Sequence, residues 1–135
     1  KVHGEDIKNI HFHEVGAIDS IADIISFCTL FDDISPKECY FSTLSEGTGS
    51  IMCQHGELSV PVPAVLEIVS KYQIPVKITN NIGEMITPTG AAIVASLYKK
   101  YEELPQMIIK KTGYGSGKRP YKNPTLRVIE FDEEN

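Results

Sequence analysis

At 135 residues, with 41% hydrophobic and 23% charged residues, the chain has the composition of one ordinary globular domain, able to bury roughly two-thirds of its unfolded surface. A formal charge of −5 argues against binding a nucleic-acid backbone, which wants a basic face, and no apolar run approaches the ~20 residues of a membrane span. No signal peptide is legible and the three cysteines have irregular spacing, so there is no disulfide framework and the cytoplasm is the default compartment.

The chain begins Lys1-Val2-His3-Gly4, with no initiator Met. This reads as the tail of a helix closed by glycine, which implies a piece of a longer protein. A helix is predicted from Ala17 to Ile34, with Ile18, Ile21, Ala22, Ile25 and Cys28 forming one apolar stripe. Ser35-Pro36 ends it. Glu38 to Leu44 has a strand-like composition, and Gly47-Thr48-Gly49-Ser50 follows as a turn. Ile51 to Cys53 and Glu57 to Val60 read as short extended pieces around His55-Gly56.

Pro61 and Pro63 lead into a helix from about Ala64 to Tyr72, apolar at Val65, Leu66, Ile68 and Val69. Pro75 to Thr79 is a short strand, placed at an edge by its proline. Thr87-Pro88-Thr89-Gly90 opens a third helix running to about Glu103. Met107 to Thr112 and Thr125 to Phe131 are strands joined by the glycine-rich loop from Gly113 to Pro120, and Asp132-Glu133-Glu134 is a solvated acidic tail. Helices and strands interleave. The expectation is a single α/β (α+β) domain over 1–135, a two-layer sandwich with a mixed or antiparallel sheet and about three helices.

The richest chemistry lies at 11–23, where two histidines and three carboxylates gather as a loop turns into the first helix. His11 and His13 are two apart and share a face of an extended segment. Asp19 and Asp23 are four apart and stack on a helix. Such a set, with Glu14, suits a divalent metal: imidazole favours zinc, copper, iron or nickel, and carboxylates favour harder ions. The same acids would also stabilise a helix's first turn by ~0.3–1 kcal/mol each without any metal.

Cys53 and His55 form a second pair on one face, soft enough for a transition metal, although free cysteine is often simply buried. Thr87 to Gly90 sets hydroxyls and bare backbone at a helix N-terminus, where unsatisfied N–H groups bind anions. Ordinary capping, with Thr87 as N-cap and Pro88 first in the helix, explains the same residues, and both can hold at once. Gly113 to Arg119 can wrap a phosphate with Lys118 and Arg119 as donors, or be a mobile hairpin loop. No helix follows these glycines, so this is neither a Walker A nor a Rossmann fingerprint.

Five segments in order carry a resemblance: His-Phe-His-Glu-Val-Gly-Ala-Ile-Asp-Ser-Ile-Ala-Asp-Ile (11–24), His-Gly-Glu-Leu (55–58), Val-Pro-Val-Pro-Ala (60–64), Gly-Glu-Met-Ile-Thr-Pro-Thr-Gly-Ala-Ala (83–92) and Gly-Tyr-Gly-Ser-Gly (113–117). Together they resemble the nickel-insertion proteins of lactate racemase cofactor maturation, the LarC family, over nearly the whole chain. The chain would be the latter part of that family's N-terminal half. Ser59, Val65 and Thr125 depart from the family's usual proline, threonine and asparagine, which bears on loop and helix-start geometry rather than on the histidines and acids.

The resemblance implies CTP-dependent insertion of nickel into a pyridinium mononucleotide carrying two thiocarboxylates, giving a nickel-pincer cofactor. The site for CTP with manganese or magnesium is expected in the remaining C-terminal half, so this piece alone is expected to be inactive. It implies His11, His13 and Glu14 as first nickel ligands, with His55 and Asp19 as further ones. Forming a carbon–metal bond requires a ring proton to leave, and Glu14, with His13 beside it, is the base expected to take it. The substrate phosphate is expected on Thr87, Thr89 and Gly90 or against Lys118 and Arg119, in one cleft with the His11–Glu14 cluster about 8–12 Å away and His55 towards the metal end.

Were the two on opposite faces, either the site is shared across the subunits of a symmetric homo-oligomer or these roles are wrongly assigned. Two other function classes fit the residues. One is a metal-binding or assembly module with no catalytic residue. The other is a magnesium- or manganese-dependent hydrolase using Asp19 and Asp23.

Overall fold

The structure is a computed structural model and describes Gly4, Asp6 and residues 18–53, 56–122 and 124–133. These fall into two compact units, one running to Lys99 and the other from Lys100.

In the first unit, helix α1 (Ile18–Ile34) lies almost where its periodicity puts it. Its partners differ from expectation. None of its residues is buried, and Ile18 and Ile25 are 84% and 60% exposed, so the apolar stripe faces no core among the described residues. The helix binds itself through the Phe27–Phe31 pair, one turn apart with ring centroids at 5.5 Å.

Strand β1 (Leu44–Thr48) pairs in parallel with β4 (Val76–Ile82), from Leu44 opposite Val76 to Thr48 opposite Ile82. Strands β2 (Ser50–Cys53) and β3 (Gly56–Ser59) pair antiparallel, with Ile51 opposite Leu58. Parallel neighbours need a crossover. Here it contains the β2–β3 ribbon and helix α2 (Pro63–Tyr72), whose fixed proline φ starts the first turn and whose Gln73 closes it in the left-handed region at φ 53°. Helix α3 (Pro88–Leu97) follows β4.

The core explains this arrangement. Val62, Val65, Ile86 and Ala91 are buried, and Leu44, Ile51, Leu58, Ile68, Val69 and Val76 pack against them. Both helices α2 and α3 therefore form one layer over strands β1 to β4, the two-layer α/β arrangement expected from the sequence.

The second unit is an antiparallel ribbon of β5 (Met107–Ser116) and β6 (Thr125–Glu133). A bulge between Ile109 and Lys111 keeps Ile109 opposite Phe131 and Thr112 opposite Ile129. Lys110 meets Asp132 at 2.8 Å and Lys111 meets Glu130 at 3.4 Å. Among the described residues there are three two-stranded sheets, one parallel and two antiparallel, so the pairing is mixed.

Several boundaries differ from the sequence reading. The aromatic stretch at 38–43 is irregular, and the strand begins at Leu44. Phe41 lies against Tyr98 at 6.4 Å, so its ring serves packing rather than a ladder. Gly47 and Thr48 belong to β1 instead of a turn. Helix α3 stops at Leu97, six residues early, where Tyr98 turns extended. Continuing it would have set Glu102 and Glu103 at the negative end of the helix dipole. Gly113 and Gly115 lie within β5, opposite Val128 and Leu126, which shortens the glycine loop to 117–124.

Candidate functional site

The segment from Gly83 to Gly90 carries the best-defined polar geometry in the first unit. Thr87 is the N-cap of α3, extended at φ −78° and ψ 157°, and its Oγ1 accepts from the Gly90 N–H at 3.1 Å. Pro88 has no N–H to offer. Ala91 N–H returns to the Thr87 carbonyl at 2.8 Å. Within the turn 88–90, Thr89 keeps the one N–H with no partner among the described residues. Capping is thus realised, and it takes the Gly90 amide that an anion at this helix end would otherwise share.

Behind this turn lies a residue that the sequence reading did not single out. Glu46, in β1, is fully buried. Its Oε1 accepts from the N–H of Gly47 at 2.7 Å, of Met85 at 2.7 Å and of Ile86 at 3.2 Å. Its Oε2 is buried with no hydrogen-bond partner among the described residues. Three donors on one oxygen compensate much of the cost of burying a carboxylate; the second oxygen remains uncompensated. Gly83 completes the arrangement by donating its N–H to Thr48 at 2.8 Å.

Beside it, Asn81 Nδ2 reaches Thr79 Oγ1 at 3.3 Å and Met85 Sδ at 3.2 Å, so the strand end and the loop share a small polar cluster. A lone acid in a strand announces nothing in a sequence. The glycines at 47 and 49, read as a turn, were the available sign that the backbone comes close to another segment here.

The other candidates are distributed as follows. Asp19 lies in the first turn of α1, and both it and Asp23 are exposed, one turn apart. Cys53 ends β2, half-buried, opposite Gly56. Lys118 and Arg119 are exposed in the β5–β6 connection of the second unit, where Arg119 Nη1 donates to the Tyr121 hydroxyl at 3.2 Å. His11, His13, Glu14 and His55 lie outside the described residues, and with them the expected cleft. Among the described residues no three His, Cys, Asp or Glu side chains gather as a metal site.

Burial raises the Cys39 thiol above its ordinary value, Glu38 adds to this and Lys99 opposes it. Lys99 is held by Glu38, Nζ to Oε2 at 3.1 Å. None of these groups adjoins the Glu46 cluster in the hydrogen-bond pattern, so the polar centre behind α3 is the candidate site of this unit.

Comparison with known proteins bears on the whole chain. A family model described as Nickel insertion protein matches residues 1–135. The pyridinium-3,5-bisthiocarboxylic acid mononucleotide nickel insertion protein of Acetivibrio thermocellus is 48% identical over 120 residues, covering 88% of this chain and 29% of that protein. Its namesake in Alkaliphilus metalliredigens is 48% identical over 136 residues, covering 100% of this chain and 32% of that one. A putative nickel insertion protein of Synechocystis is 41% identical over 131 residues, or 97% of this chain and 31% of its own length. The chain therefore spans about a third of the curated relatives it matches. No solved structure matches it.

Proposed function

The chain belongs to the nickel insertion protein family, and on that premise we propose that it is the part of such a protein that presents nickel to pyridinium-3,5-bisthiocarboxylic acid mononucleotide. The observation that carries this reading is the match of the family over the full chain, with close relatives bearing that substrate in their names. Nickel is cargo in this reading. It must be held firmly enough to be loaded and loosely enough to leave, which imidazole and carboxylate ligands achieve better than a set of thiolates.

His11, His13 and Glu14 are the proposed first ligands, with His55 and Asp19 completing the set. Asp19 suits the role because it is exposed in the first turn of α1. Two thiocarboxylate sulfurs and one ring carbon take the metal from these residues. As the carbon–nickel bond forms, the ring C–H bond breaks and its proton passes to Glu14, with His13 as the neighbouring acceptor.

The phosphate of the mononucleotide is assigned to Thr89 N–H and the hydroxyls of Thr87 and Thr89 at the start of α3; the alternative is Lys118 and Arg119 in the β5–β6 connection. CTP with manganese or magnesium is assigned to the remaining C-terminal part of the full-length protein, which completes the activity, and the whole protein is read as a cytoplasmic homo-oligomer.

The test is a calorimetric nickel titration of the full-length protein beside its His11→Ala/His13→Ala variant, with nickel transfer to the mononucleotide followed in parallel. Loss of nickel affinity and of transfer together supports the reading. Unchanged affinity removes the His-x-His segment as the loading site, and a preference for magnesium over nickel would favour a hydrolase built on Asp19 and Asp23.

A further inference from the structure

A buried carboxylate is an expensive way to close a loop, and Glu46 is fully buried in β1 with its Oε2 lacking any partner among the described residues. An apolar side chain of similar size would fill the same volume but leave the N–H groups of Gly47, Met85 and Ile86 without their acceptor. What the carboxylate does that hydrocarbon cannot is hold backbone N–H groups at a fixed place. Those it holds across the fold belong to Met85 and Ile86, at 2.7 and 3.2 Å, directly before the N-cap of α3.

The loop is fastened at its other end too. Gly83 donates to Thr48 at 2.8 Å, and the Gly83 carbonyl lies so close to Gly47 that no side chain fits there. The loop from Gly83 to Ile86, which leads directly into the Thr87 N-cap, is thus tied to β1 at both ends. The backbone entering the first turn of α3 is thereby held by one side chain about forty positions earlier in sequence.

We propose that Glu46 is a positioning residue for substrate binding: through Met85 and Ile86 it aims the first turn of α3 at the phosphate of the mononucleotide. Glu46 does not touch the substrate, because its carboxylate is sealed from solvent. It acts through the loop. This rests on the reading that Thr87 to Gly90 takes the substrate phosphate, and it extends that reading by naming what orients the turn.

The experiment uses the full-length protein and three forms of it: wild type, Glu46→Leu and Glu46→Gln. Leucine keeps the volume and removes the acceptor, while glutamine keeps an oxygen for the Met85 and Ile86 amides. Three quantities are read: thermal stability, KM for the mononucleotide against kcat and nickel affinity, and amide hydrogen exchange at residues 85–89.

Glu46→Leu should stay folded, with KM raised about tenfold, nickel affinity changed less than twofold and exchange at 85–89 accelerated. Glu46→Gln should restore both KM and protection. A folded leucine variant with wild-type protection at 85–89 overturns the proposal, as does a leucine variant that does not fold or a glutamine variant that fails to rescue. Accelerated exchange with an unchanged KM would leave Glu46 as the loop's fastener and remove the phosphate from α3, which overturns the proposal as a statement about substrate. If the wild type itself transfers no nickel, the functional reading fails separately, and the exchange data still decide whether Glu46 positions the turn.

Discussion

A β-carbon added to Gly47 would lie 1.9 Å from the carbonyl oxygen of Gly83 and 2.9 Å from that of Asn81. Both neighbours are backbone, so neither can move aside as a flexible side chain would. Gly47→Ala should therefore destabilise the first unit by ~1–3 kcal/mol, the range for forcing atoms into a packed interior. Urea unfolding should show it, beside Gly113→Ala and Gly115→Ala, whose added carbons meet nothing within 4 Å. Those two should stay within ~0.5 kcal/mol of the parent. Equal losses at all three positions would show that the close approach at Gly47 is not what makes it glycine.

The cap on α3 makes a second test. Thr87→Ala removes the oxygen that accepts from Gly90 N–H at 3.1 Å, and should cost ~0.5–2 kcal/mol. Thr87→Ser should recover most of it. Gly90→Val should loosen the same cap, because its β-carbon would press on Thr87 Oγ1 at 3.3 Å. Circular dichroism and unfolding curves for the three variants check the order; a Thr87→Ala protein as stable as Thr87→Ser would contradict it.

Cys39 offers a readout tied to pH. Burial and Glu38 raise its thiol value, so at a given pH it carries less thiolate in the folded chain than in the unfolded one. At pH 8, alkylation of Cys39 followed by mass spectrometry should be slower in buffer than in strong urea. The folded state favours the protonated thiol, so its contribution is complete below the unfolded value and is lost as pH rises through the raised folded one. Alkylation at the same rate in both states would remove this assignment.

Nickel binding should also depend on pH, in the opposite sense for the ligand. Neutral imidazole coordinates and imidazolium does not, so affinity should weaken as pH falls through ~6.5, the ordinary histidine value. Titrations of the full-length protein between pH 5.5 and 7.5 would be decisive. A flat profile would mean that carboxylates hold the metal without the histidines.

Much of this architecture was legible because local rules and tertiary packing agree. Pro63 and Thr87-Pro88 announce α2 and α3, and the structure starts both helices there. The β2–β3 and β5–β6 pairs follow the expected extended runs. Misreadings cluster where one residue type serves two purposes. Phe41 and its neighbours have strand-forming side chains, yet Phe41 packs on Tyr98 in an irregular segment. Gly47 and Gly113 look like turn residues, yet one permits a close backbone approach and the other lies in a regular ladder. The histidine segment was the most conspicuous part of the sequence. Glu46 was the least conspicuous, because its meaning lies in Met85 and Ile86, and no local pattern relates an acid to amides so distant.

The parallel pairing of β1 with β4 imposes an order on synthesis. Helix α2 and the β2–β3 ribbon are built from near neighbours and can form as they leave the ribosome. Glu46 must wait for Ile86, 40 positions later. At ~5–20 residues per second, that is about 2–8 s during which β1 has an open edge and a charged side chain still in water. The nascent chain thus holds its future interior acid hydrated until the last part of this unit arrives. Slow codons placed between β1 and α3 would lengthen that exposed interval, whereas the same codons after α3 would leave it untouched.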